Sequence, residues 1–362
     1  MKEEIIIIMP SIMETYGWNE HWQQIWDDGS YEGLEPARVT ARWRGQWEVA
    51  CGEGLVLAQL TGKFRREQPD DAYPEVGDFV GVRAEQGSAA VAALLPRRSA
   101  LVRHMAFSVS GRQVVAANVD VAFAAMALDR DYNLRRMERY VAAIAEGGIL
   151  PVALLTKTDL CAGYWAKAYA LRDAFPGMEA LPVCALTGEG MEELRGRLSP
   201  GRTAVIVGSS GVGKSTLLNA LYGSEVMRVG DLRSDGARGA HTTTNRQMTV
   251  LPGGALFIDT PGMRELGVVG EGEGLGEAFA DIAELAAACR FRDCTHMKEP
   301  GCAVQKAIED GALDPKRLKS WRSISAEMER EAKKAEYRYK YLRRSDRETK
   351  RREAMNRDIH EY

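Results

Sequence analysis

The chain lacks any apolar run long enough to cross a bilayer. Its opening stretch, Ile5 to Ile8, is too short for the core of a signal peptide, is preceded by Glu3 and Glu4, and leads into no cleavage-type sequence. No membrane association is expected, and a cytoplasmic location is. Excess charge of one sign is also missing: 48 Lys and Arg stand against 51 Asp and Glu, a formal net charge of -3. That balance excludes a uniformly basic binder. Cysteine is sparse, and Cys51, Cys161 and Cys184 are scattered singly, which argues against a disulfide framework. No internal repeat or long low-complexity linker interrupts the 362 residues. Such a length exceeds a single typical core and fits three modules.

The most informative segment present is Gly208-Ser209-Ser210-Gly211-Val212-Gly213-Lys214-Ser215. It follows the apolar run Thr203 to Val207 and precedes the helix-like Thr216-Leu217-Leu218-Asn219-Ala220-Leu221. Strand, glycine loop and helix in that order form a phosphate-binding loop. Glycines let the backbone N–H groups curl around a polyphosphate, and the helix N-terminus adds positive dipole. Lys214 is expected to meet the outer phosphates, Ser215 to offer its hydroxyl to Mg²⁺, and Thr216 to extend the phosphate contacts. A glycine- and serine-rich surface turn is the plain alternative. It would not place both glycines, the lysine and the hydroxyl in register after a buried-type strand.

Upstream, the strand pattern Leu150 to Leu155 ends in Thr156-Lys157-Thr158-Asp159. This tetrapeptide resembles the Asn/Thr-Lys-x-Asp signature of guanine-nucleotide proteins. The Asp159 carboxylate can accept two hydrogen bonds from the N1 and N2 donors of guanine, while the Lys157 stem lies along the ring. Adenine offers no such donor pair, and an unpaired buried carboxylate is costly. A second strand, Leu181-Pro182-Val183, leads into Cys184-Ala185-Leu186, which resembles the loop whose backbone N–H reaches guanine O6. Downstream, Ala255 to Ile258 ends in Asp259-Thr260-Pro261-Gly262. Asp259 can hold Mg²⁺ through water, and the Gly262 N–H can reach the γ-phosphate. In the intervening Gly239-Ala240-His241-Thr242-Thr243-Thr244, Thr243 is the expected third contributor to the metal shell.

A glutamine that would orient the attacking water after Asp-x-x-Gly is missing, for Met263 stands there. His241 is the candidate replacement, since a neutral imidazole can orient water and accept a proton near pH 7. A contact to RNA or solvent is the alternative for this residue. The stretch from Arg233 to Arg246 is rich in Gly, Ser, Arg and Thr without an apolar period. Slow intrinsic hydrolysis, accelerated when a partner orders this stretch, is the expectation.

Cys289, Cys294, His296 and Cys302 give the spacing Cys-x4-Cys-x-His-x5-Cys. Three thiolates and one imidazole complete a tetrahedral shell with no open position, which predicts one structural zinc ion. A disulfide pair is the competing reading. Beyond it, Asp314 to Arg322 and Ser325 to Asn356 read as helices. The second carries Arg330, Lys333, Lys334, Arg338, Lys340, Arg343, Arg344, Arg347, Lys350, Arg351 and Arg352, interleaved with Tyr337, Tyr339 and Tyr341. Intrahelical ion pairs with Glu327, Glu329, Glu331 and Glu336 would account for part of this charge. Basic residues still dominate, so a local RNA footprint is expected.

Loop order carries the most specific information. The base-reading loops at Asp159 and Ala185 precede Gly208, whereas an ordinary GTPase places its phosphate loop first. Rotated order, the His-Thr-Thr-Thr switch and the zinc spacing together resemble the RsgA/YjeQ family of small-subunit-dependent GTPases, over roughly Ala37 to Leu342. The resemblance implies GTP and GDP as ligands with Mg²⁺, the His241 catalytic role, and the small (30S) ribosomal subunit with its 16S rRNA as partner. It further implies a part in late 30S maturation.

Period-two segments between Ala37 and Val82 predict a small antiparallel barrel, an OB-fold by the same resemblance. Trp43, Trp47 and Phe64 are read as barrel core as much as stacking faces, and carry no site role. Trp18, Trp22 and Trp26 mark a short amphipathic helix, and Asn133 caps a helix to Glu146. Residues Glu85 to Arg98 read as a connector. The expected architecture is an α/β P-loop GTPase domain, circularly permuted, with an N-terminal β-barrel and a C-terminal, mainly helical zinc-binding domain. The boundaries are 1–36 for an N-terminal extension, 37–98 for the barrel, 99–270 for the GTPase domain and 271–362 for the zinc and basic helical region. A monomer is expected. The rival outside enzymes is an RNA chaperone in which nucleotide only props the fold.

Overall fold

The computed structural model describes residues 11–43, 45–68, 72–104, 112–129, 132–175, 177–223, 246–259, 273–330 and 332–333. After two short helices, α1 (Ile12–Thr15) and α2 (Glu20–Asp28), come β1 (Glu35–Trp43), β2 (Gln46–Cys51) and β3 (Gly54–Leu60). Helix α3 (Gly62–Glu67) then leads to β4 (Phe79–Glu85) and β5 (Ser88–Leu94). Strands β1, β2 and β3 form an antiparallel meander, β3 runs parallel to β5, β5 pairs with β4, and β4 returns to β1. This closed five-stranded circuit with a helix between its third and fourth strands is the OB arrangement. Trp47 and Phe64 lie in its interior at 2% and 6% exposure, so both serve the core. Helix α2 starts at Asn19, whose side chain accepts from Trp22 N, and lays Trp22 against Phe79 of β4 with ring centroids 4.3 Å apart.

The expected connector from Glu85 to Arg98 is corrected by β5, which occupies half of it. Its sequence, Ser-Ala-Ala-Val-Ala-Ala-Leu, is alanine-rich and weak in intrinsic strand preference. Pairing on both edges, to β3 and β4, overrides that preference.

A hairpin of β6 (Ala100–His104) and β7 (Arg112–Ala117) leads to β8 (Val121–Ala127), α4 (Leu134–Glu146), β9 (Leu150–Thr156) and α5 (Trp165–Ala174). There follow β10 (Glu179–Val183), α6 (Met191–Gly196), β11 (Thr203–Gly208), α7 (Lys214–Tyr222), β12 (Arg246–Val250) and β13 (Leu256–Asp259). The sheet order is β10-β9-β8-β11-β13-β12, all parallel except β12. Counted from the phosphate-loop strand β11, the chain visits positions four, five and six before one, two and three. Space keeps the GTPase order while the chain starts elsewhere. Even residues of β8, Ala122, Ala124 and Met126, face α4 with its Met137, Tyr140, Val141 and Ile144. Odd ones, Val121, Phe123 and Ala125, face α6 and α7 with Met191, Leu194, Leu217 and Leu221. Both faces are covered, which explains the unbroken apolar strands.

The barrel and this sheet are continuous, since β1 pairs with β12 at Ala41↔Gln247 and Arg42↔Arg246. Arg38 rivets the junction from inside. Its guanidinium donates to Tyr16 O (2.6 Å), Gly77 O (3.2 Å), Asn118 O (3.3 Å) and Thr203 Oγ1 (2.9 Å), and lies 4.6 Å over the Phe79 ring. Burial lowers its pKa to about 10, which leaves it charged at neutral pH.

Toward the C-terminus stand α8 (Glu273–Ala278), α9 (Ala280–Ala287), α10 (Ala303–Glu309) and a helix over 315–330. The helix runs unbroken through the expected gap between Arg322 and Ser325. Phe279, Ile282, Leu318, Ile324 and Met328 share one apolar cluster with α4. At that seam Arg317 grips both Asp281 oxygens (2.5 and 2.8 Å), and Arg139 of α4 grips Glu327 (2.7 and 2.9 Å). Most of the expected basic helix, from 334 onward, lies outside the described residues. Among the described residues no helix is long and apolar enough to cross a membrane.

Candidate nucleotide site and metal centre

All five parallel strands end at one edge of the sheet, where crevices of open α/β sheets take ligands. The phosphate loop leaves β11 there. Gly211 and Gly213 adopt φ of +82 and +100, values that L side chains rarely reach, and Gly208 sits so close to β8 that a Cβ would meet Ala125 O at 2.7 Å. Val212 is 1% exposed and anchors the loop into the α7 face. Lys214, Ser215 and Thr216 form the first turn of α7, so their amides lie at the positive end of the helix dipole. Lys214 curls back, donating from Nζ to Gly208 O (2.7 Å) and Ser209 O (2.9 Å).

Across the edge, β9 delivers Thr156-Lys157-Thr158-Asp159. The Thr156 hydroxyl donates to Val212 O at 2.6 Å, so the base-reading and phosphate loops are tied through one buried residue. The threonine side chain thus braces the loop that carries Val212. Lys157 takes a left-handed conformation, φ 61, and its Nζ pairs with Asp129 Oδ2 at 2.8 Å beyond the end of β8. Asp159 is exposed, and its Oδ1 accepts from the Cys184 thiol at 3.1 Å. Cys184 is buried, Ala185 half-buried and Leu186 exposed, in the loop after β10. Glu189, which the motif reading did not single out, joins the loops: its carboxylate accepts from Thr158 Oγ1 (2.5 Å) and from the Tyr164 hydroxyl. Those two bonds hold its pKa below the usual carboxylate value. Only its position in the loop hinted at this, since no spacing rule marks it.

Asp259 ends β13 at the same edge, paired in register with Gln247. His241, Thr243, Gly262 and Met263 lie outside the described residues.

The second centre is local. Cys289, Cys294, His296 and Cys302 bring one ligand atom each to within 4.8 Å of one another. Cys289 Sγ lies 3.8 Å from Cys302 Sγ, and His296 Nδ1 lies 3.5 Å from both. A tetrahedral ion bound at about 2.3 Å to sulfur and about 2.0–2.1 Å to nitrogen requires roughly 3.8 Å between sulfurs and roughly 3.5 Å between sulfur and nitrogen. The donors therefore fit a metal ion. His296 holds φ 58, its carbonyl accepts from Gln305 Nε2 and Arg322 Nη2, and Trp321 leans on the ring at 5.6 Å between centroids. Glu299 braces the same loop by accepting from the N–H groups of Thr295, Met297 and Lys298 at 3.0, 2.8 and 3.0 Å. Burial, with the neighbouring Cys302 and Cys289 sulfurs adding to it, pushes the Cys294 thiol up to about 11. A cation among them reverses that preference, because a coordinating thiol is deprotonated outright.

Known proteins carry the same architecture. The profile of the RsgA GTPase family matches residues 94–269. A small ribosomal subunit biogenesis GTPase RsgA from Methanosarcina acetivorans is 41% identical over 343 residues, covering 94% of this chain and 91% of its own. The protein of that name from Syntrophotalea carbinolica is 39% identical over 325 residues, 87% of this chain and 89% of its own. Among solved structures, YjeQ from Thermotoga maritima aligns with a TM-score of 0.62 at 26% identity, over 82% of this chain and 98% of that one. YloQ, described as a circularly permuted GTPase, aligns with a TM-score of 0.59 over 83% and 96%; at 22% identity it speaks for the fold alone. At these identities and coverages, the chain belongs to the RsgA GTPase family.

Proposed function

We propose that this GTP hydrolase converts GTP to GDP and phosphate under stimulation by the small ribosomal subunit, acting in the cytoplasm late in 30S maturation while it grips 16S rRNA. The observation that carries the reading is the convergence of Gly208–Ser215, Thr156–Asp159, Cys184–Leu186 and Asp259 on one sheet edge, in a chain whose relatives are named for that role.

In this reading, loop amides from Gly208 to Thr216 cradle the phosphates. Lys214 exchanges its two carbonyl contacts for the β- and γ-phosphate oxygens, where its charge offsets the charge of the transition state. The free lone pairs of Asp159 accept from guanine N1 and N2, with Cys184 holding the carboxylate in place. The backbone of Ala185 and Leu186 reads O6, and the Lys157 stem covers the ring. Ser215, Thr243 and Asp259 would hold the Mg²⁺ that accompanies the nucleotide, and the ion would supply positive charge beside the phosphates. Gly262 donates to the γ-phosphate. His241 orients the water whose oxygen attacks the γ-phosphorus as the bond to the β-phosphate oxygen breaks; the released proton ends on phosphate. One zinc ion suits the Cys289, Cys294, His296 and Cys302 donors and fixes their loop without taking part in hydrolysis. The barrel and the metal module are the RNA-gripping parts of a monomer.

The experiment is GTP turnover with and without purified small subunits, for the wild-type chain and His241→Ala. Expected are slow intrinsic turnover, strong acceleration by subunits, and a variant that stays on the subunit in the GTP state. Turnover indifferent to subunits, or a variant released as readily as wild type, overturns the reading.

A further inference from the structure

Among the described residues, the barrel meets the central sheet through two in-register backbone pairs between β1 and β12, Ala41↔Gln247 and Arg42↔Arg246. The second sets two arginines directly opposite each other, an arrangement that repels. Glu75, in the turn before β4 and 2% exposed, resolves it. One carboxylate oxygen pairs with Arg42, and the other accepts from Arg246 Nη1 at 2.8 Å. Arg42 also stacks over Trp47, 5.6 Å from its ring centroid, and the Trp47 indole N–H donates to Pro74 O at 2.8 Å, the residue before Glu75. Arg42 and Trp47 flank the β1–β2 tip, one of the loops through which OB barrels hold nucleic acid. On the other side of Arg246, Gln247 is the register partner of Asp259. In sequence, Arg246 stands five residues after His241 and three after Thr243.

We propose that Glu75 is a positioning residue for GTP hydrolysis: by bridging Arg42 and Arg246 it fixes β12 to the barrel tip, so that a target held by the barrel sets the phosphate edge at Asp259. The inference rests on the reading of the barrel as an RNA-gripping module. Removing the carboxylate leaves two facing arginines, Arg42 and Arg246, unbridged at the joint, and the joint loosens where the barrel's occupancy has to be felt. The role is one of transmission, since Glu75 touches neither nucleotide nor the reacting atoms.

The test compares wild type, Glu75→Gln, Arg246→Gln and the double variant. For Glu75→Gln, intrinsic kcat and the KM for GTP stay within about twofold, while subunit-stimulated kcat falls about tenfold, within the range of couplings carried by single contacts. The subunit concentration giving half-stimulation is unchanged. The double variant is no worse than either single one, because one link is broken either way. Independently of subunits, hydrogen exchange at the β12 amides is faster in Glu75→Gln. Full stimulation of Glu75→Gln, equal loss of intrinsic and stimulated rates, additive losses in the double variant, or unaltered β12 exchange each overturns the proposal. A wild-type chain that subunits fail to stimulate sinks the functional reading instead, while the exchange measurement still decides whether Glu75 holds the joint.

Discussion

The metal centre and the nucleotide site are built in opposite ways. The first draws all four donors from Cys289 to Cys302, and the distances among Cys289, His296 and Cys302 already match a tetrahedral ion. The second draws on the ends of β9, β10, β11 and β13, and its lysine is still folded onto its own loop. A short loop needs an ion to oppose the repulsion of crowded thiolates. A site on rigid strand ends needs the sheet to bring distant loops together. Both contain a non-glycine residue in a left-handed conformation, His296 and Lys157, so both hold local strain where function is expected.

If this contrast is right, chelating the metal has the largest effect. Structural zinc contributes about 10–16 kcal/mol to small modules, so chelation should melt the 289–302 loop together with the flanking helices α9 and α10, with loss of helical signal followed by circular dichroism. GTP affinity should change less than threefold, because the nucleotide loops are held by the sheet. Equal loss of nucleotide binding would erase the distinction, and the seam of Arg317 and Arg139 with the C-terminal helices is where such coupling would run.

Next in size is Lys214→Ala. Removal of the cation that is to meet the outer phosphates should lower kcat by roughly 10²–10³, measured by single-turnover phosphate release. Asp159→Asn follows, with GTP affinity lowered about a hundredfold and xanthosine triphosphate now preferred, as read by competition binding. Unchanged GTP affinity would remove the guanine assignment.

Smaller still is Thr156→Val, which deletes the hydroxyl that joins the two loops. One buried hydrogen bond, about 1 kcal/mol, predicts a roughly fivefold weaker GTP Kd with the fold intact. Smallest is the pH response of Glu189. Its two hydrogen bonds depress its pKa below 4.5, so its bracing of Thr158 is fully present above pH 4.5. That bracing is lost only as pH falls through the lower folded value. Nucleotide binding should therefore hold down to pH 5, and Glu189→Gln should weaken it about twofold. A sharp loss already at pH 6 would show that another group governs the loop.

Residue identity and spacing were sufficient for the permuted order and for the Cys289, Cys294, His296 and Cys302 cluster, because each depends on a few side chains at fixed offsets. Asn133 was legible as a cap for the same local reason. Less legible was β5, an alanine-rich strand that exists because two neighbours pair with it. Glu189 bridging to Thr158, Thr156 reaching Val212 and Glu75 between two arginines were likewise silent in the sequence. Each contact spans 31 to 171 positions. The sequence by itself determined which chemistry the chain carries, since ligands and loops are local. Tertiary structure alone decided how the barrel, the sheet and the metal module are joined, because those joints are made of buried charges and strand pairings whose partners have no fixed separation along the chain.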